Sequence, residues 1–300
     1  FVDVYEITGD SKYLEWAREL NDEDMWVPAS QDRDILNGWH ANTQIPKFTG
    51  FERVSNALPP SKEKSDYSHA ARFFWNTVVS KHTWVNGGNS TGEHFFPVDE
   101  FESRILRKGG PESCNSVNML RLTEQLYRDF GETEKVDYYE RTLYNHILAH
   151  YRVYGTRYDS FWCCSGTGME SPAKFGKMIY AHRGDTLMVN MFIPSTLSWE
   201  KQGIKLVQST RFPDDDKVTL KLTQTDRKKG GNLKIAIRHP YWDVSQSLEV
   251  SVNGKACKSM ESDGYTVVVK KWKDGDEITF RLNPRFAVQA LPGSGKYSAF

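Results

Sequence analysis

The spacing of hydrophobic residues changes once along this 300-residue chain, near residue 185, and this change limits the folds open to it. Upstream, apolar residues recur every three or four positions, as in amphipathic helices. Downstream, they alternate with polar residues, as in strands. A run of helices followed by a run of strands indicates two separate domains. We therefore predict a helical domain over residues 1–185 and a β-domain over residues 186–300.

The helical half is predicted to be a series of amphipathic helices joined by glycine-rich loops. A Gly-Asp-Ser sequence separates the first two helical stretches, and Asp10 or Ser11 would be the N-cap of the second. Apolar stripes at helical spacing mark residues 66–84 and 116–130, and Thr133 would cap the next helix. Helices of this length in series suit an α/α toroid or a bundle.

The second half shows several short alternating segments with turn residues between them. Asn253 and Gly254 follow one of these segments and predict a tight hairpin, and Asp274 and Gly275 predict a second turn of the same kind. Short strands spaced about 10–15 residues apart indicate a β-sandwich. The strand candidates are residues 187–193, 218–222, 233–237, 248–252, 265–269 and 278–282.

Composition excludes some partners and leaves the compartment open. The 39 basic and 39 acidic residues cancel, so no charged field points to nucleic acid or to a membrane surface. The apolar runs are too short to span a bilayer. The chain opens in mid-helix at Phe1 without a signal segment, so we expect a fragment of a longer protein whose targeting segment lies upstream. The location therefore stays unknown, and a periplasmic or extracellular location is favoured over a cytoplasmic one.

Four polar, glycine-rich loops of the helical half hold most of the residues that could carry chemistry. A ring of helices places alternate loops at one mouth, so distant loops could meet there. Ordinary interpretations exist for each residue: His40 as a satisfied loop histidine, Glu93 as a helix cap and Cys114 as a small buried hydrophobe. Glu112 could likewise cap a helix. The loops are residues 38–46, 86–95, 109–118 and 161–170.

The adjacent cysteines Cys163 and Cys164 resist an ordinary explanation, because the chain has only four cysteines. Neighbouring cysteines rarely bond to each other, since disulfide geometry is specific. Glu112 and Cys114 lie one helical hairpin away along the chain. Three thiols and one carboxylate would complete a four-ligand site for a soft metal, although this ligand set is unusual. Spacing alone leaves a metal site and purely structural cysteines both open.

Five strings of the chain resemble the zinc-dependent β-L-arabinofuranosidases of glycoside hydrolase families 127 and 146, with the closer likeness to family 146. They occur in the family order, and the likeness continues through residues 191–195. The resemblance implies a partial (α/α)6 barrel followed by an antiparallel β-sandwich. The strings are WHANTQIPK (39–47), GGNSTGEHF (87–95), ESCN (112–115), YNHIL (144–148) and FWCC (161–164).

The resemblance also implies a retaining hydrolase that releases terminal β-L-arabinofuranose from plant-derived glycans. Cys163 would be the nucleophile, because a zinc ion deprotonates a bound thiol at neutral pH. Glu93 would protonate the leaving oxygen and then activate water, and His40 would line the sugar subsite. The implied zinc ligands are Glu112, Cys114, Cys163 and Cys164.

One segment departs from the relatives, and other functions stay open. The relatives carry a longer segment between residues 144–148 and the HYRVY string at 150–154, and the missing piece usually includes a tyrosine that contacts the sugar. An enzyme with the same fold could hydrolyse another furanose-like pectin sugar. Alternatively, zinc could only hold the loops together in a non-catalytic module that binds sugar or a partner. A polysaccharide lyase is a further candidate, but the neutral charge balance and the cysteine cluster argue against it.

Overall fold

A computed structural model describes residues 1–149, 158, 162–226, 229, 233–245 and 247–300 of the chain. The shortened connection expected at residues 150–154 lies outside the described residues, as does Phe161. The chain divides into two compact units whose ranges interleave. Unit 1 comprises Phe1–Gly131, Tyr138–Lys174 and Val288–Phe300, and unit 2 comprises Glu132–Asp137 and Phe175–Ala287.

The helices of the described residues follow the predicted series. They are α1 (Val2–Thr8), α2 (Ser11–Glu19), α3 (Glu23–Ser30), α4 (Ala41–Ala57), α5 (Lys62–Lys81), α6 (Phe101–Arg104), α7 (Ser113–Phe130), α8 (Thr133–Thr142) and α9 (Cys163–Glu170). Asp10 caps α2 by accepting a hydrogen bond from the Lys12 N–H at 3.1 Å, as predicted. None of these helices is long and apolar enough to cross a membrane.

Helices α4, α5 and α7 form the packed centre of unit 1, because aromatic side chains fill the space between them. Phe48 on α4 stacks on Phe74 of α5 with ring centroids 3.8 Å apart. Trp75 of α5 donates its indole N–H to the Thr123 hydroxyl of α7 at 2.7 Å, which satisfies both buried polar groups. These contacts give the loops at the helix ends a rigid base.

The strands begin at Tyr180, earlier than the change of pattern at Thr186. The described strands of unit 2 form two sheets, with the orders β1-β2-β6-β10-β9 and β3-β4-β5-β11-β7-β8, and β12 pairs with β13 in unit 1. The strands are β1 (Tyr180–Arg183), β2 (Thr186–Val189), β3 (Ser195–Trp199), β4 (Ile204–Thr210), β5 (Lys217–Gln224), β6 (Lys234–Arg238), β7 (Ser251–Val252), β8 (Lys255–Ala256), β9 (Met260–Ser262), β10 (Tyr265–Val269), β11 (Glu277–Arg281), β12 (Gln289–Ala290) and β13 (Ser298–Ala299).

Both sheets of unit 2 contribute side chains to one buried hydrophobic cluster. Ile235 and Val268 come from the first sheet, and Leu220 and Phe280 come from the second. The pairing is not wholly antiparallel as expected, because β2 and β6 run parallel, with Thr186 opposite Lys234. A parallel pair needs a long crossover, and the strands β3 to β5 of the second sheet lie between β2 and β6 in the sequence.

Turn residues predicted one hairpin of unit 2 correctly and another wrongly. Asn253 and Gly254 both have positive φ and join β7 to β8 in a two-residue hairpin, as predicted. The Asp-Gly turn at 274–275 is not a hairpin, because it joins β10 to β11 and these strands belong to different sheets. Another Asp-Gly sequence, residues 263–264, does form a two-residue hairpin, between β9 and β10.

One buried carboxyl makes the stability of unit 1 depend on pH. Glu52 on α4 is 1% exposed, and one of its oxygens accepts a hydrogen bond from Ser68 at 3.3 Å. Burial raises the pKa of Glu52 to about 7, partly offset by the Ser68 hydrogen bond and reinforced by the charge of Asp129. The folded protein therefore binds this proton more tightly than the unfolded chain does, whose carboxyl titrates near 4.5.

We expect stability to fall as pH rises from about 4.5 to about 7, because the unfolded chain releases this proton in that range while the folded protein still holds it. Glu52→Gln removes the titration and should raise the free energy of unfolding at pH 8, relative to wild type, by up to about 3 kcal/mol. Urea unfolding at pH 4.5 and pH 8 measures this difference. Glu19→Gln, at an exposed position of α2, is the control. Parallel pH dependences of wild type and Glu52→Gln would contradict this account.

Candidate active site

Three helices of unit 1 begin at residues of the candidate site. His40 is the N-cap of α4, Glu112 is the N-cap of α7, and Cys163 is the first residue of α9. Neither His40 nor Glu112 uses its side chain to cap its helix, so both side chains are available for other contacts. A helix N-terminus carries partial positive charge and stabilises nearby anions, including thiolates.

The three cysteines predicted as metal ligands lie together. The Cys114 sulfur is 3.2 Å from the Cys163 sulfur and 3.9 Å from that of Cys164, and all three lie within 4.8 Å of one another. None of them forms a disulfide. Their exposure differs: Cys114 is buried, Cys164 is half-buried and Cys163 is exposed. The structure thus brings together thiols that are 49 and 50 residues apart in sequence.

The sulfur cluster has the dimensions of a soft-metal site. Four sulfurs around a zinc ion at 2.3 Å would stand roughly 3.8 Å apart in a tetrahedron, close to the separations of Cys114 from its two neighbours. The Glu112 carboxylate lies beside the cluster, with one oxygen 3.9 Å from the Cys114 sulfur. The sulfurs therefore suit a thiophilic divalent ion, and Glu112 is placed to supply an oxygen ligand.

The electrostatics of the cluster show four acidic groups crowded together, of which Cys164 ionises most readily. The hydrogen bond from the Cys114 thiol, helped by backbone N–H groups at the start of α7, lowers the pKa of Cys164 to about 4 despite burial. The same hydrogen bond, together with burial, strongly raises the pKa of Cys114. Burial and the charge on Cys164 raise the pKa values of Cys163 and Glu112. A bound cation would relieve this repulsion by replacing protons.

Glu93 enters the same site from a strained loop. Its carboxylate lies 3.7 Å from the His40 ring nitrogen Nε2, and its charge contributes to the raised pKa of Glu112. Glu93 has φ of +70°, a left-handed conformation that is costly for a residue with a side chain. Its carbonyl accepts a hydrogen bond from the Ala41 N–H at 2.8 Å, which ties the loop to the start of α4. Glu93 does not cap a helix, because an extended segment follows it.

Two histidines at the site had no assigned role in the sequence, although both fall within its family-like strings. The His94 ring lies 5.3 Å from the His40 ring, and its Nδ1 donates to the Gly92 carbonyl at 2.8 Å. His146 is buried and contacts the segment that carries Glu112 and Cys114. In the sequence, only their place within the family-like strings could have marked these histidines as functional. Neither has a metal-ligand spacing to another candidate residue.

Family models match both halves of the chain. The model for the β-L-arabinofuranosidase GH127 catalytic domain matches residues 1–155, and the model for the GH127 middle domain matches residues 186–284. The chain belongs to the GH127 β-L-arabinofuranosidase family. His40, Glu93, Glu112 and Cys114 lie within the matched catalytic domain, whereas Cys163 and Cys164 lie between the two matched ranges.

Individual GH127 relatives are distant and longer. A non-reducing end β-L-arabinofuranosidase from Bifidobacterium longum subsp. longum is 24% identical over 245 residues, which is 71% of this chain but 37% of that protein. The chain therefore spans well under half of this relative. The domain match, rather than this relative, establishes that the chain belongs to the family.

Solved structures share the fold of a helical part followed by a β-sheet part. A GH127 β-arabinofuranosidase matches with a TM-score of 0.73 and 24% identity, covering 94% of this chain and 50% of its own. A second glycoside hydrolase gives 0.76 with 18% identity, covering 97% and 56%. A GH127 β-L-arabinofuranosidase from Geobacillus stearothermophilus T6 gives 0.69 with 18% identity, covering 95% and 53%.

We expect the chain to bind about one divalent metal ion through the cysteine cluster. Cys114→Ala should abolish stoichiometric binding of zinc or cobalt, because it removes the sulfur that lies next to both others. Elemental analysis after dialysis and the sulfur-to-cobalt charge-transfer absorption measure the loss. Cys257→Ala, in unit 2, is the matched control and should bind as wild type does. Equal binding by the Cys114 and Cys257 variants would place the metal elsewhere.

Proposed function

We propose that this chain carries the catalytic centre of a retaining β-L-arabinofuranosidase, which releases terminal β-L-arabinofuranose from plant-derived glycans. The observation that carries the proposal is the exposed Cys163 sulfur at the edge of a sulfur cluster, in the same site as the Glu93 carboxylate. The β-L-arabinofuranosidase activity for which the family and the Bifidobacterium relative are named supports the choice of sugar. We also propose a partial (α/α)6 barrel, a β-sandwich and a closer relation to family 146.

Exposure separates the roles of the three cysteines. A sugar can reach only a sulfur that is open to solvent, and Cys163 is the exposed member of the cluster. Cys114 is buried beneath it, and Cys164 is half-buried against the start of α7. Cys163 is therefore the nucleophile in this proposal, and the other two cysteines hold the site together.

Zinc is the metal we propose for the cluster, held by Glu112, Cys114, Cys163 and Cys164. When bound, zinc keeps thiols deprotonated at neutral pH. The residues of the chain position the reacting sulfur: α9 begins at Cys163, and the adjacent Cys114 sulfur fixes it at 3.2 Å.

The reaction needs one nucleophile at the anomeric carbon and one acid at the leaving oxygen of the same glycosidic bond. The Cys163 sulfur attacks the anomeric carbon, and the bond from that carbon to the leaving oxygen breaks as Glu93 gives its proton to the oxygen. The Glu93 carboxylate then takes a proton from water. The water oxygen attacks the anomeric carbon and breaks its bond to sulfur, which restores the Cys163 thiolate. Two inversions give net retention.

His40 is placed to bind the sugar beside the acid. Its side chain is partly exposed, and its Nε2 lies 3.7 Å from the Glu93 carboxylate. An imidazole in this position can hydrogen-bond a sugar hydroxyl and keep the carboxylate of Glu93 turned toward the site. The piece of chain that usually includes a sugar-contacting tyrosine in the resembling families is missing between residues 144–148 and 150–154.

Replacement of the acid and of the nucleophile tests the mechanism. On an aryl β-L-arabinofuranoside, Cys163→Ala should remove measurable turnover, because no covalent intermediate can form. Glu93→Gln should lower kcat by about 100-fold or more. A more acidic phenol as leaving group should restore part of the activity of Glu93→Gln but none of that of Cys163→Ala, because such a phenol needs no proton to depart. Steady-state kinetics measure both effects.

Controls and a second readout make the outcome decisive. Cys257→Ala and Glu200→Gln, both in unit 2, should retain wild-type activity. A furanose-configured electrophile should label Cys163, and peptide mass spectrometry locates the adduct. Wild-type turnover by Cys163→Ala or Glu93→Gln would overturn the proposed roles. A wild-type chain that binds zinc but shows neither turnover nor an adduct would favour a non-catalytic, zinc-stapled module. Faster hydrolysis of another furanoside would change the proposed substrate.

A further inference from the structure

His146 lies directly behind the segment that carries two of the proposed metal ligands. It belongs to a single π-helical turn, Leu143–Ile147, that follows α8, and it is 6% exposed. π-Helical turns are rare and occur frequently at functional sites. Both ring nitrogens have partners: Nε2 lies 3.1 Å from the Pro111 carbonyl oxygen, and Nδ1 lies 2.7 Å from the Ser116 hydroxyl.

The two partners determine which nitrogen of the neutral ring carries the proton. A carbonyl oxygen only accepts hydrogen bonds, so Nε2 must donate to Pro111 and bears the hydrogen. Nδ1 is then an acceptor and receives the Ser116 hydroxyl proton. A buried ring satisfied at both nitrogens in this way has one tautomer and one orientation.

The partners of His146 stand at the two ends of the ligand segment. Pro111 immediately precedes Glu112, and Ser116 lies two residues after Cys114. The ring therefore bridges both ends of the chain segment that presents the carboxylate and the buried sulfur. The bridge acts through backbone and hydroxyl groups, since the hydrogen bonds of the ring go to Pro111 and Ser116.

The backbone of Gly88 packs closely against both His146 and Pro111. A Cβ atom on Gly88 would lie 2.6 Å from the Pro111 Cβ and 2.9 Å from His146 Nδ1. Both distances are shorter than real Cβ contacts, so only glycine allows this backbone to pack against the pair. The next residue, Asn89, accepts hydrogen bonds from the Asn115 amide, which lies within the same ligand segment. The ligand segment is thus held from two sides.

We propose that His146 is a positioning residue: its ring, protonated on Nε2, holds the Pro111–Ser116 segment so that Glu112 and Cys114 are preorganised to bind the metal ion. The inference rests on the proposed function, because the metal site is part of it. The hydrogen bonds of the ring to Pro111 and Ser116 fall on residues that flank the proposed ligands. Groups that orient metal ligands from behind typically change metal affinity 10- to 100-fold when they are replaced.

Cobalt and zinc binding by the 300-residue chain tests this role without using activity. His146→Phe keeps a ring of similar shape but removes both nitrogens, so we expect cobalt and zinc affinity to fall about 10- to 100-fold. His146→Gln can still donate to the Pro111 carbonyl and should recover part of the loss. Competition against a chelator of known affinity measures each dissociation constant.

A control variant in α7, the helix that carries Cys114, separates a loss of positioning from a general loss of stability. Thr123→Val removes a buried 2.7 Å hydrogen bond between α7 and Trp75, farther along the helix than Cys114. It should lower thermal stability without changing metal affinity. An equal fall in affinity for Thr123→Val and His146→Phe would overturn the inference, because it would show that any weakening of α7 disturbs the site.

Two further outcomes keep the inference apart from the proposed function. Tight metal binding by wild type and equally tight binding by His146→Phe would overturn the role of His146 and leave the metal site standing. Absence of binding by wild type would overturn the proposed function itself. If His146→Phe does not fold, Ser116→Ala provides the second variant, with a smaller expected loss. Nitrogen NMR of the wild-type ring supplies an independent readout: a proton on Nδ1 instead of Nε2 would also overturn the proposal.

Discussion

The crowding of three sulfurs and a carboxylate at the ends of helices is the constraint on which the rest of the candidate site depends. Separately, each of these groups can ionise, but together they repel, and burial adds to the cost. Only Cys164 has a lowered pKa, because donors at the start of α7 surround its sulfur. The pKa of Cys114 is raised by its hydrogen bond to Cys164 and by burial, and the pKa of Glu112 by burial and the neighbouring charges. Such a site needs either protons or a cation, and helix N-termini supply only part of the positive charge.

The three sulfurs and the carboxylate stay close together only if the helices that carry them are held rigidly. The packing of the neighbouring helices provides this rigidity. The aromatic contacts between α4, α5 and α7 fix the helices whose ends carry His40 and Glu112. The loop with Glu93 adopts a left-handed backbone that persists only because hydrogen bonds to α4 and to Gly109 fix it on both sides. The rigid core thus allows Glu93 to keep an unfavourable backbone conformation, and this conformation directs its side chain into the site.

Periodicity and turn chemistry predicted the local structure, whereas contacts between distant segments escaped them. The N-cap Asp10 and the 253–254 hairpin follow from neighbouring residues alone. The Asp-Gly sequences at 263–264 and 274–275 look alike, but only the first lies between strands that pair, which is a property of the sheets. His146 likewise bonds residues 30 and 35 positions away, so no local pattern reveals its role. Residue types did indicate the cysteine cluster, but not which of its sulfurs is exposed.

Adjacency of the two cysteines has a physical reason in the proposed mechanism. Consecutive residues of a helix point about 100° apart, whereas residues three or four positions apart share a face. Cys163 and Cys164 are the first two residues of α9, so one sulfur can face solvent while the other packs against the start of α7. Both still lie within 4.8 Å of Cys114. A spaced pair on one helix face would give both sulfurs similar surroundings. In the proposed mechanism, the adjacent pair therefore supplies two unlike sulfurs, of which one would hold the ion while the other attacks the sugar.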